Sequence, residues 1–307
     1  MKVVFFGTPE FAVPSLRALL GEGFDVVGVV TRPDRPRGRS RSRVVPPPVK
    51  TVAEAEGIPV LQPDRPVGDL FAKSLANLGA DIGVVVAYGH ILRPEILAVP
   101  SHGMINVHAS LLPKLRGPAP IQWAILNGDE TTGVSIMQME AGLDTGPVLH
   151  QIATEVAADE TAGELAVRLA ELGAAALIEA LTLLEAGAVR PKPQDHALAT
   201  YAPKVDRGLA RLVWEDDAAR LARRVRAFDP APGAWATLDG KEVKLYGARV
   251  TNGSAEPGTV IEADERLVIA GGVGAMEVLE VQPAGKCRMS ATAWIRGRGV
   301  RAGQRFA

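Results

Sequence analysis

At 307 residues the chain has length for about two domains of roughly 100–200 residues each, and 47% apolar with 22% charged side chains exclude a mainly disordered state. A single cysteine, Cys287, excludes an intramolecular disulfide framework and any cysteine-rich zinc module. The net charge of −1 conceals two basic patches: Arg32–Arg43 holds six arginines and one aspartate, and Lys286 to the end holds six cations and no acid. Such patches suit a local anionic partner or simply solvated loops.

In chain order, Lys2–Phe6 and Val26–Val30 are short apolar strands separated by a helical pattern over Ala12–Leu20. Val49–Glu56 reads as helix, Pro59–Leu61 as extended, Asp69–Leu78 as helix and Ile82–Ala87 as a buried strand. Met104–His108 is a further strand, followed by a loop and a helix over Ala119–Leu126. This βαβ rhythm predicts an α/β fold, a doubly wound, mostly parallel sheet covered by helices. Val134–Met139 and Val148–Val156 read as a strand pair, and Ala162–Ala186 as a long amphipathic helix that closes a first domain at residue 187. Residues 188–208 contain Pro191, Pro193 and Pro203 without periodicity and read as an extended linker. Residues 209–307 begin with a helix at Ala218–Phe228. Short strands follow at Ala234–Leu238, Glu242–Val250, Gly258–Glu262, Leu267–Ala270 and Met276–Gln282, which predicts a small β-barrel of the oligonucleotide-binding type.

Only four apolar residues follow Lys2, too few for a signal-peptide core. The longest uncharged stretch, Ile96–Pro113, carries two histidines and two prolines and is no membrane span. A soluble, cytoplasmic protein is the expectation, and a monomer.

A doubly wound sheet invites a dinucleotide, but Gly7-Thr8-Pro9-Glu10 follows the first strand where a glycine-rich phosphate turn would stand. Pro9 removes a donor and Glu10 repels phosphate. Polar candidates concentrate instead between Asn106 and Asp144. Asn106 and His108 are two apart at a strand end and share a face, at the carboxyl edge where open α/β sheets bind ligands. Asp144 lies in the turn-rich Glu140–Pro147, between two glycines. Glycine-flanked acids are usually turn formers and strand-end histidines are usually structural, so the case rests on the three residues together. As a trio they suit acyl transfer to an amine: His108 exchanging protons, Asp144 stabilising its cation, Asn106 donating to a developing oxyanion. The other histidines show no metal-ligand spacing, so no metal is expected.

The run Asn106-Val107-His108-Ala109-Ser110-Leu111-Leu112-Pro113, with Arg116-Gly117 and Ala119-Pro120-Ile121-Gln122, resembles the signature of the folate-dependent formyltransferase family. Met139–Pro147 is similar to that family's second signature. Phe6–Ala12, Arg32–Pro36, Tyr201–Lys204, Pro232–Ala234, Gln282–Lys286 and Met289–Ala291 resemble the branch that formylates methionyl initiator tRNA. Departures are Lys114-Leu115, Pro118 and Cys287; none touches the trio. The resemblance implies 10-formyltetrahydrofolate as formyl donor, lying along Ser110, Leu111, Leu112 and Pro113 with Val86 and Tyr88 as apolar wall. It implies the initiator methionyl-tRNA acceptor stem as partner, met by Arg37, Arg39, Arg41 and Arg43 and by Lys204, Lys286 and Arg288.

Three other readings use the same residues: a formyltransferase acting on a small amine, a folate-dependent hydrolase that attacks with water, and an RNA-binding protein with an inert sheet. The basic patches disfavour the first, and the intact trio disfavours the last.

Overall fold

The computed structural model describes residues 1–37 and 43–307. The described residues form two compact units, one of residues 1–117, 132–154 and 166–201, the other of 118–131, 155–165 and 202–307.

The first unit is built on a seven-stranded sheet. Its strands are β1 (Lys2–Gly7), β2 (Asp25–Val30), β5 (Val60–Leu61), β6 (Ile82–Val86), β7 (Met104–His108), β8 (Thr131–Gln138) and β9 (Val148–Glu155), ordered β5-β2-β1-β6-β7-β8-β9. From β5 to β7 every pairing is parallel; β8 runs antiparallel to β7. In β6 all five residues are buried, the unbroken apolar run of a strand covered on both faces. Helices α1 (Val13–Gly21), α2 (Pro48–Ala55), α3 (Asp69–Ala76) and α4 (Pro94–Leu97) fall between these strands in the sequence, and α6 (Ala162–Glu185) follows β9. Phe71 and Leu75 of α3 pack with Phe6, Val85, Tyr88 and Met104 into one core. The order reverses between β1 and β6, so the crevice for a ligand lies beyond their carboxyl ends. There β6 runs into Ala87–Leu92 and β7 into the loop after His108.

Strands β3 (Arg35–Arg37) and β4 (Arg43–Val45) form an antiparallel hairpin, Arg35 opposite Val45 and Arg37 opposite Arg43. Arginine and proline give no apolar alternation to mark a strand, so the sequence pattern does not show this hairpin, nor the short α4.

The second unit carries α5 (Pro120–Asn127), entered through Pro120 and stopped by Gly128 at φ 75°. It also carries α7 (Ala218–Ala227), capped by Asp217, whose side chain accepts from Arg220 N at 2.7 Å. Strands β10 (Ala234–Leu238), β11 (Lys241–Thr251), β12 (Val260–Ala263), β13 (Leu267–Ala270) and β14 (Ala275–Pro283) form an antiparallel sheet ordered β10-β11-β14-β13-β12. The short β15 (Met289–Ser290) pairs with β14, and α8 (Ala291–Arg296) follows it. The C-terminal tail bridges both sheet edges: Phe306 pairs with Leu238 on β10, and Arg305 with Thr259 beside β12. The tail thus covers part of each outer strand, as the expected barrel requires.

Among the described residues no helix is long and apolar enough to cross a membrane.

Candidate active site

The site starts from the pleat of β7, which turns Asn106 and His108 to the same side. His108 is buried, and its Nε2 lies 3.0 Å from Leu115 O. A carbonyl only accepts, so Nε2 carries the hydrogen and Nδ1 is left to exchange a proton. Nδ1 lies 3.8 Å from Asp144 Oδ2, too far for a hydrogen bond and an ion pair only once His108 is protonated. The same Oδ2 accepts from Gly117 N at 2.8 Å. Asn106 and Asp144 both line a cleft of about 270 Å³ whose apolar walls include Tyr88, Leu92, Met137 and Met139. His108 is absent from that lining and meets the cleft through Asp144.

Both loops are held by their own polar groups. In the loop after β7, Ser110 Oγ donates to Lys114 O at 2.6 Å, and Leu112 N donates to Ser135 Oγ at 3.0 Å. Ser135 Oγ donates in turn to Ser110 O, while Gln151 Nε2 reaches Leu112 O and Ser135 Oγ. Leu115 N donates to Thr200 Oγ1 and Arg116 N to Thr200 O, both at 2.9 Å. Asp144 itself takes a left-handed φ of 52°, and the turn packs so closely that a Cβ at Gly146 would come 1.9 Å from Gln138 O. The side-chain amide of Gln194 donates to Asp144 O at 2.9 Å and Gly146 O at 2.7 Å.

Of the residues expected along the folate, Tyr88 lines the cleft, Val86, Ser110 and Leu112 are buried, and Leu111 and Pro113 are half-buried. Ser110 is committed to its own loop. The Tyr88 hydroxyl is buried with no hydrogen-bond partner among the described residues, and burial raises its pKa to about 12 against the opposing pull of Arg32. Sequence reasoning missed Met137, Met139 and the segment His90–Leu92 as lining, and missed Gln194, Thr200 and Arg116 as supports.

The cations expected to meet tRNA divide. Arg39 and Arg41 lie outside the described residues, as do the side chains of Arg37 and Arg43. Lys204 and Lys286 are exposed. Arg288 is not free: it donates to both oxygens of the buried Asp229 at 2.7 and 3.1 Å, to Glu280, and lies 4.1 Å above the Tyr246 ring. Arg305 pairs with Glu256. The basic tail therefore presents Lys286, Arg296, Arg298 and Arg301, exposed and without an ionic partner among the described residues.

Comparison with known proteins matches residues 1–181 to the formyl transferase family and residues 204–299 to the formyl transferase C-terminal domain. The chain belongs to the formyl transferase family. Over 308 residues it is 47% identical to the methionyl-tRNA formyltransferase of Methylococcus capsulatus, covering 100% of this chain and 99% of that one. Its fold is similar to HypX from Aquifex aeolicus in complex with tetrahydrofolic acid, with a TM-score of 0.68 and 21% identity over 97% of this chain; the chain spans about half of HypX, 47% of its length. It is also similar to an N-formyltransferase from Helicobacter canadensis in complex with folinic acid and dTDP-3-aminofucose, with a TM-score of 0.71 and 18% identity over 92% of this chain and 99% of that one. At such identities the two solved structures speak for the fold of this formyl transferase.

Proposed function

We propose that this formyl transferase moves the formyl group of 10-formyltetrahydrofolate to the α-amine of methionine on initiator tRNA, in the cytoplasm. The observation that carries the chemistry is the position of Asp144, in contact with both the cleft and the buried His108. The acceptor is argued from the full-length likeness to a methionyl-tRNA formyltransferase and from exposed, unpaired cations that suit phosphates.

The cleft fits a folate: it has apolar walls for a flat heterocycle, and Tyr88 offers a buried hydroxyl still lacking a partner. When bound, the folate supplies an activated formyl carbon. Tyr88, Leu92 and Met139 would hold the ring system, with Leu111 and Pro113 offering half-exposed surface and Val86, Ser110 and Leu112 shaping the loop from within. Asn106 is a neutral donor fixed by β7, placed to stabilise negative charge on an oxygen without reorganising. His108 Nδ1 receives the proton that the amine gives up as its nitrogen bonds to the formyl carbon, and the Asp144 carboxylate stabilises the imidazolium. His108 then returns that proton to N10 of the folate as the bond between N10 and the formyl carbon breaks and tetrahydrofolate leaves. Residues 1–187 form the catalytic domain in this reading, 188–208 a linker whose Gln194 and Thr200 also brace the site, and 209–307 a monomer's tRNA-holding barrel. Arg37, Arg39, Arg41, Arg43, Lys204 and Lys286 meet the acceptor stem. Arg288 supports that surface through its ion pairs.

Incubating the protein with 10-formyltetrahydrofolate and either methionyl initiator tRNA or an amino-sugar nucleotide tests the reading. Formylmethionine on the tRNA is the expected product. Formylation of the sugar alone would assign a small-amine enzyme, and formate release without acceptor a hydrolase.

A further inference from the structure

We infer that Gln194, oriented by the buried Arg116, is a positioning residue that holds Asp144 in its working geometry; this rests on the catalytic role proposed for Asp144. Asp144 takes a left-handed backbone, which Asp tolerates better than most side chains but less readily than glycine, and the turn's carbonyls need donors. Gln194 Nε2 provides them, bonded to the carbonyls of Asp144 and Gly146.

An amide can face either way, and Arg116 decides which. Its Nε and Nη2 donate to Gln194 Oε1 at 3.0 and 2.7 Å. A guanidinium has no acceptor, so the amide oxygen must face Arg116 and the NH2 must face the turn. Arg116 is only 2% exposed, and among the described residues it has no carboxylate partner; its Nη1 meets His196 Nδ1 at 3.2 Å. A buried charge without a counter-ion costs stability, and an apolar side chain would pack there more cheaply. Fixing the Gln194 amide accounts for its presence. Arg116 also leads directly into Gly117, whose N–H holds the Asp144 carboxylate. Main chain and side chain of Asp144 are thus held from one cluster, and half of it comes from the proline-containing stretch after α6.

Gln194→Glu separates this role from a merely structural one. The new carboxylate strengthens the tie to Arg116 and replaces both hydrogens donated to the turn by an acceptor. The expected result is a roughly tenfold lower kcat, KM for both substrates within about twofold, an altered pH–rate profile and an undiminished melting temperature. Acting through Asp144, the change should add nothing further to Asp144→Asn in the double variant. Gln194→Met, which removes both sets of bonds, should lower kcat at least as far. Three results would overturn the inference: Gln194→Glu with wild-type kcat and pH profile, a double variant whose loss is the product of the single losses, or parallel shifts of kcat, KM and melting temperature. Full activity of Asp144→Asn would overturn the catalytic reading on which the inference rests.

Discussion

Around Asp144 the loops answer their own polar groups: the carboxylate meets Gly117 N, its carbonyl meets Gln194, and Arg116 is buried among acceptors. In the tail from Lys286, by contrast, four cations stand exposed without ionic partners among the described residues. The two regions pose different physical problems. Transition-state stabilisation needs donors already in place, because reorganisation at the moment of reaction is costly. Polyanion binding needs only charge near a surface, where counter-ion release supplies the free energy and geometry matters less. Substitutions in the first region should therefore lower turnover, and in the second they should change tRNA affinity and its salt dependence.

Asn106→Ala puts the contrast under the greatest strain. Turnover should fall about 10²–10³-fold with folate and tRNA affinities nearly intact, as read by steady-state kinetics beside equilibrium binding. Wild-type turnover would remove Asn106 from the chemistry.

Arg288 sharpens the boundary between the regions. Lying in a basic stretch it resembles a phosphate ligand, yet its removal strands the buried Asp229. Arg288→Ala should cost about 1–3 kcal/mol of stability in denaturant unfolding, whereas Lys286→Ala should cost none and weaken tRNA binding. Equal stability of the two variants would contradict the assignment.

Smaller still is the expected effect of Arg39→Ala with Arg41→Ala. The use of methionyl-tRNA should weaken several-fold at low salt, and the slope of log affinity against log salt should flatten by about 1–2. Folate affinity, measured on the same preparation, should stay constant; tRNA kinetics unchanged at every salt would end the role of these arginines.

How much of this was legible in the sequence depends on the range of the interaction. Apolar runs such as Ile82–Val86 and Leu267–Ala270 mark their strands unaided, because burial and β-branching are local properties. The hairpin Arg35–Arg37 with Arg43–Val45 was invisible, since its pairing is made by backbone and its side chains carry no pattern. At the site, Asn106, His108 and Asp144 stand out as reactive types in turn-rich segments. Their supports do not: Arg116 and Gln194 are separated by 78 residues, and Gln194 lies in a stretch whose prolines and lack of periodicity look like a spacer. The pairing of Arg288 with Asp229, 59 residues away, escaped for the same reason.

The smallest effect concerns acid stability. Burial first, then the charges of Arg32 and Arg35, hold the His90 pKa below its usual value, so protonation is disfavoured in the folded state. Above about pH 6.5 the group is neutral folded or unfolded and contributes nothing. As pH falls below that value the unfolded chain takes up the proton first, and stability drops until the folded pKa is reached. His90→Gln should make the unfolding midpoint less sensitive to pH on that side; an unchanged pH dependence would show that His90 is not the group responsible.

In the proposed mechanism Asp144 and His108 work as one unit. Single-turnover formylation of methionyl initiator tRNA by Asp144→Asn, His108→Ala and the double variant measures that coupling. Each single change should lower the rate by about 10² or more, and the double variant should be hardly slower than the worse of the two. Losses that multiply in the double variant would instead show two residues acting independently, with no shared proton transfer.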